Sequence, residues 1–384
     1  MAETNGELHT FDTSKFINAS QVGGIESYAI DEGPARGVRA LCVNTGGGLR
    51  YRVLVDRGLD IDQAFFNQHS LAFLTHKGVT PPTRGLDRGL DWLRSFPGGL
   101  LTSCGPFNIG PPGTDEGEEL GLHGPHSNTG ATIESVLQPD PRRGETRMAV
   151  TGSIRYGAFY GPCVELRRTI ASHLGGNAIE FTDEFFNAGN TAVPHAWLLH
   201  INFGYPLVDA GAELCYDSPK VEPTDAGESI TRFRPGVNYK RIPDPIESNR
   251  GPTSAVAYLF PKAAGRDGRA TVGIVNRKLG IGVAVRYSTR EFPRCANWQH
   301  WGPGEYVTAL EPANGTVDGR WKDRERGLLD TLEAGGRKTY RYQIELVTDR
   351  ARLDELRALN AAGANVGATP ASPASAGSRS RARK

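Results

Sequence analysis

The feature that most constrains this chain is a repeated alternation of apolar and polar residues with a period of two. Such alternation is typical of β-strands with one buried and one solvent-facing side. Turn-forming residues, such as Gly175-Gly176-Asn177 and Gly335-Gly336, separate the runs. At this density the runs predict a large antiparallel sandwich, an all-β fold. The clearest runs are Arg50–Val55, Arg147–Arg155, Val164–Ile170, Ala178–Phe186, Gly280–Tyr287 and Thr339–Val347.

The distribution of residue types predicts one domain. The chain has 48 glycines and 25 prolines in 384 residues, which suits strands joined by tight turns. Nothing in the composition indicates a linker, so we predict a flexible N-terminus at residues 1–20 and a single domain at residues 21–360. Helical periodicity is convincing only at Ala351–Leu359 and weaker at Asp87–Arg94. Residues 361–384 are rich in Ala, Ser, Pro and Gly and end in basic residues, which predicts a disordered basic tail.

Charge and cysteine usage exclude several classes of protein. The net charge is +1 and the two signs are mixed, so no basic surface for nucleic acid is indicated. No apolar stretch is long enough to span a membrane, and the polar start has no secretory pattern, so we predict a cytoplasmic protein. The five cysteines are widely spaced without a CxxC pair, which predicts buried free thiols rather than disulfides or a zinc ribbon.

Polar and charged residues concentrate in four segments that also carry Gly or Pro, a composition typical of loops at the end of a sandwich. Sugar hydroxyls are recognised by groups with several donors or acceptors, such as Arg, Asn, Asp and His, while aromatic faces cover the apolar side of a sugar ring. The segments contain both kinds of residue, so they are candidates for a sugar site. They are Asp56–Ile61, Leu122–His126, Leu199–Pro206 and Trp298–Asn314.

Interconversion of the two anomers of a sugar is one reaction that such residues can perform. A base removes the proton of the anomeric hydroxyl while an acid protonates the ring oxygen, so the ring opens. Rotation about one bond and reclosure complete the reaction. A carboxylate and an imidazole can take these roles near neutral pH when burial and neighbours adjust their pKa values. The reaction requires no metal and no organic cofactor.

Structural roles compete with the functional interpretation of the first two segments. Arg57 and Asp60 can pair with each other or cap a turn. His123 and His126, at positions i and i+3, could form half of a metal site. The intervening Gly124-Pro125 breaks the helix that such a site usually exploits, so a simple loop pair is favoured.

In the later segments Glu311 is the strongest candidate on physical grounds. It follows an apolar run, and a carboxylate at the buried end of a strand is costly without partners. His200 lies between two aliphatic residues, where a core histidine bonded to a backbone carbonyl is the default interpretation. Trp298 and Trp301 are as suited to packing as to supporting a sugar ring.

Five motifs run in order through the folded part of the chain. On these motifs the chain resembles the galactose mutarotase-like superfamily, and more closely its branch called aldose 1-epimerase-like. The resemblance extends from about residue 35 to about residue 347. It implies a supersandwich of antiparallel β-sheets that binds a sugar in a cleft on a concave face. The motifs are VDRGLDI (Val55–Ile61), GGLLTSCG (Gly98–Gly105), LHG (Leu122–Gly124), LHINFGYPL (Leu199–Leu207) and GPGEYVTALEPAN (Gly302–Asn314).

The resemblance also implies roles for individual residues. His200 falls on the histidine acid of mutarotases, and Glu311 falls on their glutamate base. His123 falls on a second histidine that helps to bind the sugar, and Arg57 on a substrate-binding arginine. The other residues predicted to bind the sugar are Asp60, His126, Asn202, Trp298, His300 and Asn314.

The chain departs from classical mutarotases at three places. The DRGLDI motif belongs to the branch, and Leu199 stands where mutarotases usually have Asn. The segment Trp298–His300 has no clear classical counterpart, which makes His300 a candidate for an additional acid–base group. These differences bear on the identity of the ligand.

Together these features predict an aldose 1-epimerase-type isomerase that acts on a free or modified monosaccharide, with Glu311 as base and His200 as acid. We expect a carbohydrate ligand, no cofactor or metal, no nucleic-acid or membrane partner, and allow for a homodimer. One alternative is another sugar reaction, such as a lyase or an epimerase at another carbon; a second is a non-catalytic carbohydrate-binding protein. A metal-dependent hydrolase using the histidines ranks last, because their spacing matches no standard site.

Overall fold

Antiparallel strands dominate the computed structural model, which describes residues 9–83, 88–264 and 268–362. In chain order the strands are β1 (Gly24–Ala29), β2 (Arg39–Asn44), β3 (Leu49–Leu54), β4 (Asp60–Phe66), β5 (His69–Ser70), β6 (Thr102–Cys104), β7 (Gly113–Asp115), β8 (Glu118–Leu120), β9 (Thr132–Leu137), β10 (Arg147–Gly157), β11 (Cys163–His173), β12 (Ala178–Asn187), β13 (Val193–His195), β14 (Leu198–Phe203), β15 (Glu213–Tyr216), β16 (Val221–Pro223), β17 (Ala255–Leu259), β18 (Arg269–Asn276), β19 (Ile281–Ser288), β20 (Arg294–Gly302), β21 (Glu305–Ala313), β22 (Asp330–Leu332) and β23 (Arg337–Val347). The α-helices are α1 (Gly227–Arg232), α2 (Arg320–Glu325) and α3 (Arg350–Ala362). Short 3-10 turns lie at Thr13–Lys15, Ala19–Gln21, Gly33–Ala35, Asp91–Arg94, His126–Asn128 and Pro141–Arg143.

Most strands belong to three large sheets. Strands β1 to β5 form a five-stranded sheet in sequential order. An eight-stranded sheet has the order β15-β18-β19-β23-β12-β11-β10-β9, and a six-stranded sheet has the order β16-β17-β20-β21-β14-β6. Two small ribbons, β7-β8 and β13-β22, complete the pairing. The strand order leaves β14 in the six-stranded sheet between β21 and β6, and both of these pairings are antiparallel.

The three sheets pack around one continuous core. Strand β12 shows why the alternating sequence folds this way, because buried and half-buried residues alternate along its whole length. The largest cluster of buried side chains includes Val53 from the five-stranded sheet, Phe181 from the eight-stranded sheet and Leu199 from the six-stranded sheet. The sheets therefore pack face to face as layers of a sandwich.

Strand β14 differs from the alternating strands because all six of its residues are buried. Leu199 and Ile201 pack in the main core. Leu198 points to the opposite face of the sheet, where it packs in a second cluster with Trp92 and Ala313. We call this opposite side the outer face of the six-stranded sheet. A strand that is covered on both sides is stabilised by apolar residues on both of its faces. This explains why the polar residues of β14 are flanked by apolar ones.

The predicted all-β antiparallel sandwich is confirmed. Each of the six alternating runs forms a strand, namely β3, β10, β11, β12, β19 and β23, and the predicted helix at Ala351–Leu359 is α3. The weaker helix predicted at Asp87–Arg94 is only a 3-10 turn at Asp91–Arg94, and Asp87 lies outside the described residues. This turn follows Gly89, whose φ of 49° is left-handed, and lacks a side-chain cap.

The cysteines are free, and Cys104, Cys215 and Cys295 are buried as predicted. Cys42 is half-buried and Cys163 is exposed, which corrects the prediction for these two thiols. In the part of the chain that the structure describes, no helix is long and apolar enough to cross a membrane.

The predicted basic tail falls almost wholly outside the described residues and the predicted flexible N-terminus in part, because residues 1–8 and 363–384 are not described. Residues 9–20 contain a 3-10 turn at Thr13–Lys15 and the start of another at Ala19–Gln21, and Phe16 is buried. The single domain over residues 21–360 stays a prediction.

Candidate functional site

Two neighbouring strands of the six-stranded sheet bring His200 and Glu311 together. In the register of β14 and β21, Ile201 pairs with Leu310 and Leu198 pairs with Ala313, which places His200 opposite Glu311. The Nε2 atom of His200 lies 3.4 Å from Oε1 of Glu311. Both side chains are on the outer face and buried, with 6% and 3% of their surface exposed.

A cleft of about 310 Å³ opens above this pair. Strand β21 places Glu311 in the cleft, and β20 supplies Trp298. The segment around the 3-10 turn Asp91–Arg94 forms much of the opposite wall. The cleft is lined by Leu90, Trp92, Leu93, Phe96, Gly110, Pro111, Leu122, His123, His200, Ser254, Val256, Trp298, Glu311 and Val317.

Aromatic rings surround the imidazole of His200. The ring centroid of Phe96 lies 5.4 Å from that of His200, and the centroid of Trp298 lies 5.5 Å away in an edge-to-face arrangement. Trp92 stacks on Phe96 at 4.6 Å and meets the edge of His123 at 4.7 Å. These rings exclude water from the imidazole, so they favour its uncharged form.

Burial shifts the pKa values of the pair in opposite directions. Desolvation raises the pKa of Glu311 from 4.5 to about 8. It lowers the pKa of His200 from 6.5 to about 4, partly offset by a hydrogen bond with Asn202. Because each group disfavours its charged form, the free pair is uncharged near neutral pH. One proton is then available on Glu311, and one free lone pair is available on the imidazole.

His123 presents a hydrogen-bond donor to the same cleft. Its backbone is left-handed, with a φ of 59°, and the following Gly124 has a φ of 70°. The Nδ1 atom of His123 accepts a hydrogen bond of 3.2 Å from the backbone N–H of Gly110. Burial lowers the pKa of His123 to about 3, so the ring is neutral. Since Nδ1 is an acceptor, the proton lies on Nε2, which can donate to a ligand.

The sequence-predicted residues therefore divide into two groups. His123, His200, Trp298 and Glu311 line the cleft. The structure does not place the other six there. They are Arg57, Asp60, His126, Asn202, His300 and Asn314.

Arg57 is buried and bonded to backbone carbonyls. Its guanidinium donates to the carbonyl oxygens of Thr80 at 2.8 Å and Ser95 at 2.9 Å, and its Nε donates to that of Ser127. Burial lowers the pKa of Arg57 to about 10. Ser95 precedes Phe96, so Arg57 holds a wall of the cleft from behind. Its donors are occupied by the protein, which leaves them unavailable to a sugar at the cleft.

Asp60 belongs to a buried ionic network centred on Arg168. Arg168 donates to Oδ1 of Asp60 at 2.9 Å and to both oxygens of Asp183, at 2.7 and 2.8 Å. The other oxygen of Asp60 accepts from the backbone N–H of Ser103 at 2.9 Å. Ser103 lies in β6, whose neighbour Thr102 pairs with His200. The network thus fixes the strand beside the candidate acid–base pair.

His126 packs against the same network. Its Nδ1 is 2.5 Å from the hydroxyl of Tyr156, and its Nε2 is 3.5 Å from Oδ1 of Asp60. Gly58, with a φ of 66°, lies so close that a Cβ atom there would be 2.4 Å from the imidazole. The DRGLDI and LHGPH segments therefore pack on each other, and the glycine of the first makes room for the second histidine of the other.

Asn202 and Asn314 use their amide groups to bind backbone and buried side chains. The Nδ2 atom of Asn202 donates to the carbonyls of Gly99 and His200, at 3.0 and 2.9 Å. The Oδ1 atom of Asn314 accepts from the backbone N–H of Trp197 at 2.7 Å. Both amides stabilise the strands around the cleft.

His300 lies beside the cleft without lining it. Its ring is parallel to that of Trp298, with 6.5 Å between centroids, and its Nε2 is 3.5 Å from Glu305. The ring contact with Trp298 therefore connects His300 to the cleft.

Several residues that line the cleft are missing from the sequence-based prediction. Trp92 and Phe96 are the most prominent, because they contact His123 and His200. Leu90 and Leu93, exposed by 60% and 55%, lie at the same wall. Two leucines and two aromatic residues within a short polar loop were the available signal, since exposed apolar groups in a loop often mark a binding site.

The described ranges contain no group of three or more His, Cys, Asp or Glu side chains that could hold a metal ion. The histidines predicted as alternative metal ligands are separated accordingly. His123 and His200 face the cleft, with ring centroids 5.8 Å apart, whereas His126 points into the buried network.

Comparison with known proteins identifies a family and several solved structures of the same fold. The family described as "Domain of unknown function (DUF4432)" matches residues 35–346. No curated protein matches the chain. Among solved structures, a candidate aldose 1-epimerase from Klebsiella pneumoniae has a TM-score of 0.80 at 19% identity, covering 93% of this chain and 95% of that one.

More distant structures have the same fold. A galactose mutarotase-like protein from Clostridium acetobutylicum has a TM-score of 0.60 at 12% identity, covering 85% of this chain and 98% of its own. A galactose 1-epimerase from Lactobacillus acidophilus has a TM-score of 0.53 at 10% identity, covering 84% and 98%. The predicted resemblance to the galactose mutarotase-like superfamily is confirmed at the level of the fold.

Proposed function

The chain belongs to the DUF4432 family, and for its cleft we propose acid–base chemistry on a sugar, of the aldose 1-epimerase type. The observation that carries this proposal is the contact between His200 and Glu311 at the floor of the cleft, 3.4 Å apart. An imidazole and a carboxyl group at this distance can exchange protons with two oxygens of one small ligand. The names of the structural neighbours support the same class of reaction.

The proposed reaction needs one acid and one base at a time. In ring opening, the proton of the anomeric hydroxyl passes to one group of the pair while the other group gives its proton to the ring oxygen. The bond between C1 and the ring oxygen breaks, and an open-chain aldehyde forms. After rotation about the bond between C1 and C2, the released hydroxyl attacks the other face of C1. Both proton transfers then run in reverse, so no atom or electron is gained or lost.

A single proton shared by His200 and Glu311 suffices for this cycle. The pKa values of about 4 and about 8 leave one proton on the pair across the neutral range. In the free protein that proton lies on Glu311, which favours Glu311 as acid and His200 as base towards a closed sugar ring. The opposite assignment, with Glu311 as base, stays a prediction; ring closure exchanges the two roles in either case.

The other cleft residues bind and orient the ligand in this proposal. The Nε2 proton of His123 donates to a sugar oxygen, and the half-buried face of Trp298 covers the apolar side of the ring. A small carbohydrate is the proposed ligand, while a homodimer and a cytoplasmic location stay predictions. No step in the proposal requires a cofactor.

Exchange NMR on a panel of aldoses tests the proposal. We expect the wild-type protein to accelerate the interconversion of α and β anomers of some sugars, and Glu311→Gln to remove this acceleration. The matched control is Glu305→Gln, the same change on the same strand at an exposed position, which should retain it. If Glu311→Gln keeps the full rate, the assignment of this residue is wrong.

Failure of the wild type also has a defined meaning. If the wild type binds sugars but accelerates exchange for none, anomer interconversion is excluded for the panel. A protein that binds sugar without any proton transfer would then be a carbohydrate-binding protein, and Glu311→Gln should retain ligand affinity.

A further inference from the structure

We propose that the cleft selects uncharged, hydroxyl-poor sugars, that is, deoxy sugars, over fully hydroxylated or anionic ones. This inference rests on the proposed function, because it concerns the ligand of the same site. It follows from the side chains that line the cleft and from the hydrogen bonds that occupy the polar residues behind it.

Apolar side chains form most of the cleft. Of the fourteen described residues that line it, nine carry them, and four have fully polar side chains, namely His123, His200, Ser254 and Glu311. The two tryptophans add indole N–H donors, of which that of Trp92 is bonded to Oγ of Ser127. Two of the four polar side chains, His200 and Glu311, are engaged at the reacting oxygens in the proposed reaction. Among the described side chains, His123, Ser254 and the indole N–H of Trp298 are left to pair with hydroxyls on the remaining carbons of a sugar.

Hydroxyls without partners are costly in such a cleft. A hydroxyl moved from water to apolar surroundings without a compensating hydrogen bond loses its solvation. A hydrogen atom or a methyl group at the same position instead gains from contact with the half-buried surfaces of Phe96, Val256 and Trp298. A sugar that lacks a hydroxyl therefore fits this wall better than its fully hydroxylated parent.

The side chains best able to bind additional hydroxyls form hydrogen bonds with other parts of the protein. Arg57 donates to three backbone carbonyls, and Asp60 is held by Arg168 and by a backbone N–H. Asn202 donates to two carbonyls within its own neighbourhood. The side chains best suited to bidentate recognition thus face the interior rather than the cleft.

Charge complementarity points the same way. Within the described ranges, none of the residues lining the cleft is Arg, Lys or Asp. Its ionisable groups are uncharged near neutral pH, because burial lowers the pKa values of His123 and His200 and raises that of Glu311. A carboxylate or phosphate on the sugar would therefore enter this cleft without a partner of opposite charge.

Matched pairs of sugars test the inference by exchange NMR. The pairs are 2-deoxy-D-ribose with D-ribose, L-fucose with L-galactose, and D-galactose with D-galacturonate. We expect kcat/KM to be about tenfold or more higher for the deoxy member and for the neutral member of each pair. Equal or higher values for the parent sugars or for the acid would overturn the inference.

Ligand-observed NMR binding with the same pairs separates this inference from the proposed function. If no sugar shows accelerated exchange but the deoxy members still bind more tightly, the proposed function fails and the ligand class stands. If exchange is accelerated with no preference within the pairs, the function stands and the ligand class fails. Equal binding without any exchange contradicts both.

A variant at the cleft wall tests the role of charge. Leu93 lines the cleft and is 55% exposed, so a longer polar side chain can be accommodated there. We expect Leu93→Arg to raise kcat/KM for D-galacturonate relative to D-galactose about two- to fivefold, the range of an exposed ion pair. Leu93→Gln, the uncharged control, should leave this ratio unchanged. An unchanged ratio in Leu93→Arg would contradict the role assigned to charge.

Discussion

His200 on β14 and Glu311 on β21 are direct cross-strand neighbours, and burial shifts their pKa values past each other. The carboxyl group, normally the stronger acid, has a pKa of about 8, while the imidazole has a pKa of about 4. Such an inversion occurs where a site excludes water from both groups. The pair then retains one proton over a wide range of pH, which has measurable consequences.

The first consequence is the pH profile of kcat/KM for anomer exchange. Below about pH 4 both groups carry a proton and no base remains, whereas above about pH 8 neither does and no acid remains. We expect a plateau between these values and a decrease of about tenfold per pH unit outside them. Exchange NMR over pH 3.5 to 9.5 measures the profile. A single midpoint near pH 6.5 would contradict it, because it would report an unperturbed histidine.

The second consequence concerns the free energy of unfolding. Since the pKa of Glu311 in the folded protein exceeds its usual 4.5, Glu311 ionises at a lower pH in the unfolded chain than in the folded one. The contribution of the protonated Glu311 to the free energy of unfolding is fully present below about pH 4.5 and is lost as the pH rises through about 8. Because Gln does not titrate, Glu311→Gln should be more stable than the wild type at pH 8.5, by about 1–4 kcal/mol, with a smaller difference at pH 4.5.

Urea unfolding at the two pH values measures this difference. A gain in stability together with a loss of exchange would show that the carboxyl group is kept for function at the expense of stability. The idea fails if the variant is less stable at both pH values, since Glu311 would then be ionised and paired in the folded protein.

How far the sequence predicted this structure depends on how local the signal is. Strand β12 could be predicted from the sequence because its alternation of apolar and polar residues lies within ten residues. Glu311 was predicted because it follows an apolar run, and the family resemblance pointed to His200 and His123; all three side chains line the cleft, while their roles stay predictions. Trp298 was open to either a packing or a binding role, and its place in the cleft follows from the sheet order.

The roles of Arg57, Asp60 and His126 could not be predicted from the sequence, because their partners are distant along the chain. Arg57 binds carbonyls 23 to 70 positions away, and Asp60 meets Arg168 across 108 positions. A polar motif in a loop has the same composition whether it turns towards a cleft or into the interior. Only the packing of the loop decides between the two.

The buried network makes a prediction for the fold. Removing Arg168 leaves the carboxylates of Asp60 and Asp183 buried without their cation, so Arg168→Met should lower the free energy of unfolding by about 3–5 kcal/mol. The control is Arg167→Met, the adjacent residue on the opposite side of β11, which is 48% exposed and should cost less than about 1 kcal/mol. Urea unfolding at neutral pH checks both. Similar effects of the two changes would contradict the central place of Arg168.

Arg57 either binds the sugar or holds the wall of the cleft, and its replacement by lysine distinguishes these two hypotheses. A lysine cannot reach all three carbonyls that Arg57 binds, so Arg57→Lys should lower the free energy of unfolding by about 1–3 kcal/mol. Arg50→Lys, at an exposed arginine that also donates to a carbonyl, should change it by less than about 0.5 kcal/mol.

The way in which the change in KM depends on the sugar then decides between the two hypotheses for Arg57. If Arg57 acts only by holding the wall through Ser95, its replacement shifts KM by a similar factor for every sugar of the panel, because no single hydroxyl loses a partner. If Arg57 bound a particular hydroxyl, the loss would fall on sugars that carry it and spare the matched deoxy sugar. A selective loss of this kind would return Arg57 to the binding site and would also weaken the case for a hydroxyl-poor ligand.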